Sequence, residues 1–358
     1  MSDASTRYMM QRYSDEAPAP RFLTSLFSNQ VFFDAEEVEL DVERDTEDVA
    51  IVIQDLSVGT RKNEAGKFTN KSFKPPIYNE EFTLTAFDLM KRVPGANPFE
   101  NPDFASNAVN RVFAGARKLQ NKVGRAIEMQ SAQVLVTGEL ILTDDAGVAL
   151  FSLDFQPKST HFVTPTAWAT TGLTGSPLVD IAALAQVLRR DGRKNPKRLI
   201  FGSGAFARFM ANTDVKANLN SLGMQKLYQL EKPTLNVDEG ATFMGFISVG
   251  AYVFEMWVYD AVYKHPQTGV ITPYIPDNKV VMVSPGADMR IAFGSIPRIV
   301  APDPRVEQFI PSTLRGPGFG LSPYAWITQD GLHVKVSVGS RPLVIPTALD
   351  TFGTLTVF

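Results

Sequence analysis

The chain has no cysteine. Disulfides, thiolate metal sites and cysteine nucleophiles are therefore excluded together. That usage is compatible with a reducing compartment. Histidine is also scarce, with His161, His265 and His333 as the full set. None is within four residues of another, and no H-x-x-x-H or H-E-x-x-H pattern exists, so a helix-borne metal site has no ligands. No apolar run approaches the length of about 18 residues that a membrane-crossing helix requires. Residues 1–20 lack the apolar stretch of a secretory signal and read as a loose arm. Net charge is only −3, which gives no global attraction to nucleic acid or to an anionic membrane.

Catalytic constellations are missing as well. Gly202-Ser203-Gly204 and Gly316-Pro317-Gly318-Phe319-Gly320 are the glycine-dense stretches. Neither fits a dinucleotide fingerprint or a phosphate loop, and no lysine follows Gly204. Asp144-Asp145 and Glu80-Glu81 are carboxylate pairs, but neighbours on a strand point to opposite faces. Asp residues in a turn serve mainly to form it. No catalytic residue, cofactor or metal is assigned, and the chain is not read as an enzyme.

What is present is one long helix. Asn101 is a good N-cap and Pro102 suits the first helical position. Apolar residues recur at Phe104, Ala108, Val112, Ala116, Leu119, Val123 and Ile127, a single stripe of helical period. The spacing predicts a helix over 101–131, about 45 Å long. Arg111, Lys118, Lys122 and Arg125 form a basic stripe elsewhere on it. Gly115 and Gly124 each cost about 1 kcal/mol against alanine there. Two explanations stand: a bend in the rod, or close packing against it.

Charge is segregated. Asp34 to Asp48 holds nine acidic residues, Glu36, Glu37 and Glu39 among them, and Arg44 alone is basic. Arg61 to Lys74 holds Arg61, Lys62, Lys67, Lys71 and Lys74 against Glu64. Separated blocks of opposite sign point to pairing, within the chain or between copies. The preferred expectation is that the acidic block meets the basic stripe, or Lys67 and Lys71, of an adjacent copy.

The chain of 358 residues allows two or three folding units. Residues 1–47 read as an arm with an apolar segment whose Phe22, Phe27 and Phe32 should dock on a neighbour or on the long helix. Val49–Leu56 and Phe73–Leu89 read as two strands of a long finger around a polar loop. Val134–Leu142 and Ala149–Phe155 read as a hairpin. Ser176-Pro177 opens a helix with an expected apolar face of Val179, Ala182, Ala183, Gln186 and Val187. A strand at Arg198–Phe201 leads into a helix over Ala205–Ala211. Strands are expected at 246–250, 253–259, 280–284, 289–293, 324–328, 334–338, 343–345 and 353–358. The class is α+β.

This order resembles the major capsid proteins of tailed bacteriophages, in particular the lambda-like major capsid protein E family. The local text agrees. Tyr274-Ile275-Pro276-Asp277-Asn278-Lys279-Val280-Val281 is similar to the family's turn into a strand. Leu199-Ile200-Phe201-Gly202 followed by Ala205-Phe206-Ala207-Arg208-Phe209 is similar to its strand–helix entry to the second domain. Glu128-Met129-Gln130 before Val134-Leu135-Val136-Thr137-Gly138 resembles its long helix running into a strand.

The resemblance implies the HK97-type capsid fold. It implies an N-terminal arm at 1–47 and an extended loop at 48–92. A peripheral domain with the spine helix would take 93–194 and 299–358, and an axial domain 195–298. It implies an icosahedral shell of hexamers and pentamers around double-stranded DNA, assembled in the host cytoplasm. Partners would be further copies, a portal protein and, on expanded shells, a decoration protein. No long scaffolding extension is evident, so a separate scaffolding protein is expected. Weaker alternatives are a tail-tube or other head protein, a nucleic-acid-binding protein, and an α+β hydrolase.

Overall fold

The computed structural model describes residues 19–33, 38–43, 68–73, 75–90, 104–143, 146–168, 175–220, 234–236, 240–284, 289–296, 320–328 and 332–358. Its organising element is a helix of 34 residues, Phe104–Thr137, about 51 Å long. The expected cap at Asn101 and Pro102 lies outside the described residues. Val112, Ala116, Leu119, Val123 and Ile127 are all buried, as the period requires. Each such large side chain contributes roughly 1.5–3 kcal/mol.

The helix runs past Ser131. Val134 to Val136, read from sequence as a strand start, form its last turn. The β-branching of Val134 and Val136 favours strand, but Val134 and Leu135 are fully buried, and packing overrides propensity. The helix stops at Gly138, whose φ of +73° is left-handed and whose N–H donates to Val134 O at 2.9 Å. The strand then begins at Glu139 and forms a hairpin, Glu139–Thr143 with Ala149–Asp154.

The arm has structure. Phe22–Leu26 form a short helix against the long one. Asn29–Phe33 then run parallel to Met289–Gly294, which also pairs antiparallel with Pro342–Pro346. A second three-stranded sheet, Leu321–Ile327, His333–Ser340 and Tyr78–Thr85, lies along the long helix. The finger differs from expectation. Val38–Glu43 pairs antiparallel with Phe68–Phe73, so its first described strand lies in the acidic block. Val49–Leu56 is outside the described residues. The expected strand 73–89 is broken at Pro75 and Pro76, which cannot donate to a ladder. Tyr78–Thr85 resumes in the other sheet and ends at the helix Ala86–Met90.

The remaining layer is a seven-stranded sheet. Its order is Phe162–Val163, Phe352–Thr356, Lys279–Val283, Arg198–Phe201, Tyr252–Tyr259, Ala241–Val249 and Thr234–Asn236. The helices Pro177–Gly192 and Ser203–Ala211 pack on it, and Thr213–Asn220 follows. One expectation is corrected. The buried face of Pro177–Gly192 is Ile181, Leu184, Ala185 and Leu188, while Val179 is 64% exposed. Both stripes have helical period, and the one carrying the larger side chains faces the core. That helix and the C-terminal strand Phe352–Thr356 share one core with Leu199, Phe201 and Met282. Met289–Gly294, by contrast, belongs with the arm strand.

The two glycines of the long helix are explained by packing. A Cβ on Gly115 would stand 2.2 Å from the ring of Phe82, and one on Gly124 would stand 3.0 Å from Ala19 Cβ. Gly115→Ala should therefore destabilise the chain by about 1–3 kcal/mol, despite its gain in helix propensity. Gly124→Ala should cost less. Urea denaturation measures both, and a more stable Gly115→Ala variant would show that the helix and sheet are less close than described.

Candidate functional site

The most constrained polar group is the carboxylate of Glu128, on the inward face of the long helix and fully buried. It accepts from Leu23 N at 2.8 Å, Thr24 N at 2.9 Å, Tyr259 O–H at 2.6 Å and the Thr24 hydroxyl. The first two are unpaired N–H groups at the start of the arm helix, so Glu128 caps that helix from a distance. Phe22 closes the junction, with ring centroids 5.0 Å from Trp257 and 5.5 Å from Tyr259. Burial pushes the Glu128 carboxyl above its ordinary value, and the donors from Thr24, Tyr259 and Leu23 oppose the rise. Burial, then the nearby Glu128 charge, also push the Tyr259 hydroxyl up. Two residues along, Gln130 Nε2 donates to Tyr78 Oη at 2.9 Å, and its Oε1 accepts from Val344 N at 3.3 Å.

The residues expected to meet a neighbouring copy are placed variously. Phe22 and Phe27 are 2% exposed within their own chain, so of the two expected docking places they take the long helix. They pack with the long helix in a common core because the arm folds back onto it. Phe32 is 49% exposed and stacks on Phe293 at 5.6 Å. Glu36, Glu37, Arg61 and Lys67 lie outside the described residues. Glu39 is opposite Ser72 and Lys71 opposite Leu40, so acidic and basic blocks meet strand to strand within one chain. The basic stripe is not a uniform face. Lys122 pairs with Glu80 at 2.7 Å, Arg111 and Arg125 are half-buried, and Lys118 is exposed.

The remaining candidates resolve as structure. Glu80 reaches Lys122 and its neighbour Glu81 reaches Lys335 at 3.0 Å, so the adjacent carboxylates diverge. Gly202-Ser203-Gly204 is a packing site. A Cβ on Gly202 would stand 2.3 Å from Pro276 O, and Ser203 Oγ donates to Asp277 Oδ1 at 2.8 Å. Two of the three segments that carry the capsid resemblance thus dock on each other. His161 is buried beside Asp191 at 3.1 Å. Among the described residues no three side chains are grouped to hold a metal, and no helix is long and apolar enough to cross a membrane.

An arm folded onto a long helix, a two-stranded finger and the β sheets packed around them make up the HK97-type fold. Two solved structures share it. A crystal structure from E. coli CFT073, assigned as a prophage capsid protein, matches with a TM-score of 0.64 at 16% identity, covering 96% of this chain and 95% of that one. The capsid of cyanophage P-SCSP1u matches with a TM-score of 0.52 at 8% identity, covering 98% and 92%. A search of curated sequences finds no match. The chain belongs to the phage major capsid protein E family, whose model it matches over residues 5–357. Its role is to form the capsid shell of a bacteriophage, and its place is the virion.

The Glu128 junction was not found from sequence, although one acidic residue on a buried helical face is the signal to look for. Its pH behaviour follows from the direction of its shift. The folded state holds the proton more tightly than the unfolded state, whose value is near 4.5. The resulting stability is fully present below that pH and is lost as pH rises through the folded value. Glu128→Gln abolishes this titration. The stability difference between wild type and Glu128→Gln should therefore be largest in acid and decline as pH rises. Denaturant midpoints across pH measure it, and a flat or rising difference would refute it. Glu128→Ala strands several buried donors and should cost about 3 kcal/mol or more.

Proposed function

We propose that this chain builds a closed icosahedral shell of hexamers and pentamers that encloses double-stranded DNA in a tailed phage. The family match along residues 5–357 carries the reading. The layer around the long helix serves as the peripheral domain and the seven-stranded layer as the axial domain. The finger that starts at Val38 serves as the extended loop. Assembly takes place in the host cytoplasm with a separate scaffolding protein, a portal protein sits in the shell, and a decoration protein binds the expanded form. The chain acts through its surfaces and catalyses nothing.

Exposed apolar side chains support contacts between copies. Ile141, Val148 and Leu150 stand on one hairpin, and Val262, Val270 and Ile271 on or beside another. Gln267 donates to the Thr143 hydroxyl, which holds the two hairpins together. Grouped apolar surface of this kind marks an interaction site.

Electron microscopy of the chain produced with its scaffold tests the proposal, and closed particles are expected. A strictly monomeric species at high concentration would overturn it. The finger has its own test. Glu43 faces Phe68 across the ladder, so replacing residues 44–67 by Asn-Gly closes a tight hairpin. The variant should keep its thermal midpoint within a few degrees and lose particles. Normal particle yield would show that the finger is dispensable.

A further inference from the structure

We propose that the end of the helix Pro177–Gly192, with the loop that follows it, is a binding surface for the phosphate backbone of duplex DNA. The inference rests on the shell reading above and gives its DNA contact a location. Between Arg189 and Arg198 six of ten residues are cationic, with Asp191 the one acid, whereas the whole chain has 35 Lys and Arg in 358 positions. Basic runs of this density are a nucleic-acid signature.

The fold makes the run a surface. Arg189, Arg190, Arg193, Lys194 and Lys197 are all exposed, the Arg190 side chain by 71%. Lys158 joins them, 3.2 Å from Asp191 and 3.8 Å from Asp350. Arg198 pairs with Glu255 at 3.0 Å. With Lys158 and Arg198 the group has seven cations, and its ion pairs include those of Lys158 and Arg190 to Asp191, of Lys158 to Asp350 and of Arg198 to Glu255.

The platform is stiff. A Cβ on Gly192 would stand 2.3 Å from Asp350 O, and Arg193 ends the helix at a left-handed φ of 52°. Cations on a fixed backbone lose less freedom on binding. A helix C-terminus alone attracts cations in its last turn, which accounts for Arg189 and Arg190. It does not account for Lys194 and Lys197, which lie beyond the helix. The basic stripe of the long helix is the poorer candidate, since Lys122 is committed to Glu80 and two of its arginines are half-buried.

The test measures binding of the full-length, unassembled chain to a short random-sequence duplex as salt is raised. Each phosphate contact contributes about 0.9 to the slope of log affinity against log salt. The variant Arg190→Gln/Lys194→Gln/Lys197→Gln should lower the slope by up to about 3 and the affinity at about 50 mM salt at least ~10-fold. Lys118→Gln/Lys122→Gln on the long helix should leave both within about twofold. Where a melting curve shows the triple variant unfolded, Lys194→Gln/Lys197→Gln replaces it, with a slope change of up to about 2. Four results overturn the proposal. The wild type does not bind; the patch variant keeps the wild-type slope; the long-helix variant takes the loss instead; or the patch variant binds DNA normally and fails to form particles, which would make the patch a contact between copies. Particle formation by the wild type is scored separately by microscopy. Its failure would sink the shell reading, while the slopes would still decide the patch.

Discussion

Everything around the long helix depends on one buried carboxylate having enough donors. Glu128 is separated from Leu23 by 105 residues and from Tyr259 by 131, and it binds both. An unpaired buried carboxylate costs several kcal/mol, so this position is tolerable only when the arm helix and the strand Tyr252–Tyr259 are both in place. The arm, the long helix and the seven-stranded layer are thereby coupled: displacing one strands the charge that the others satisfy. Gln130 and Thr354 repeat the device with neutral groups, tying the same helix to Val344 N and, through Leu135 O, to the C-terminal strand. Apolar burial supplies most of the free energy, but these bonds select one register for elements far apart in sequence.

Much of this was legible beforehand. The stripe from Val112 to Ile127 was read correctly because period is a local property, and those residues are buried. The strands near the C-terminus were placed within a few residues for the same reason. The failures are equally physical. Val134 to Val136 were read as strand because β-branching is visible and burial is not. On the helix Pro177–Gly192 two apolar stripes compete, and only the sheet beneath it selects the one with Ile181 and Leu188. Phe352–Thr356 returns between Phe162–Val163 and Lys279–Val283, a non-local pairing that no window detects.

The charged segments show where sequence reasoning is weakest. Opposite blocks predicted pairing; Val38–Glu43 and Phe68–Phe73 of one chain run side by side as strands, with Glu39 opposite Ser72 and Lys71 opposite Leu40. Charge complementarity fixes which segments attract and is silent on which molecule each belongs to. The cations from Arg189 to Arg198 are equally visible in the sequence, and a helix end explains only the first two of them.

A catalyst concentrates its constraints on a few convergent groups, and a shell protein spreads them. The polar pairs here follow the second pattern. Glu80, Glu81 and Arg198 each find a partner on a neighbouring element, and none of these pairs converges with another. Among the described residues, exposed apolar side chains such as Ile141, Leu150, Val262 and Ile271 are grouped on two adjoining hairpins, and others such as Phe87 and Val179 stand on helices. Contacts at exposed margins are individually weak, since an exposed ion pair is worth about 0–1 kcal/mol. Repetition in a closed assembly multiplies them, but only if every copy presents them in the same geometry. In the proposed shell, rigid coupling of arm, helix and sheets through Glu128 lets every copy present its margins in the same geometry. The buried junction and the bland surface are therefore two sides of one requirement.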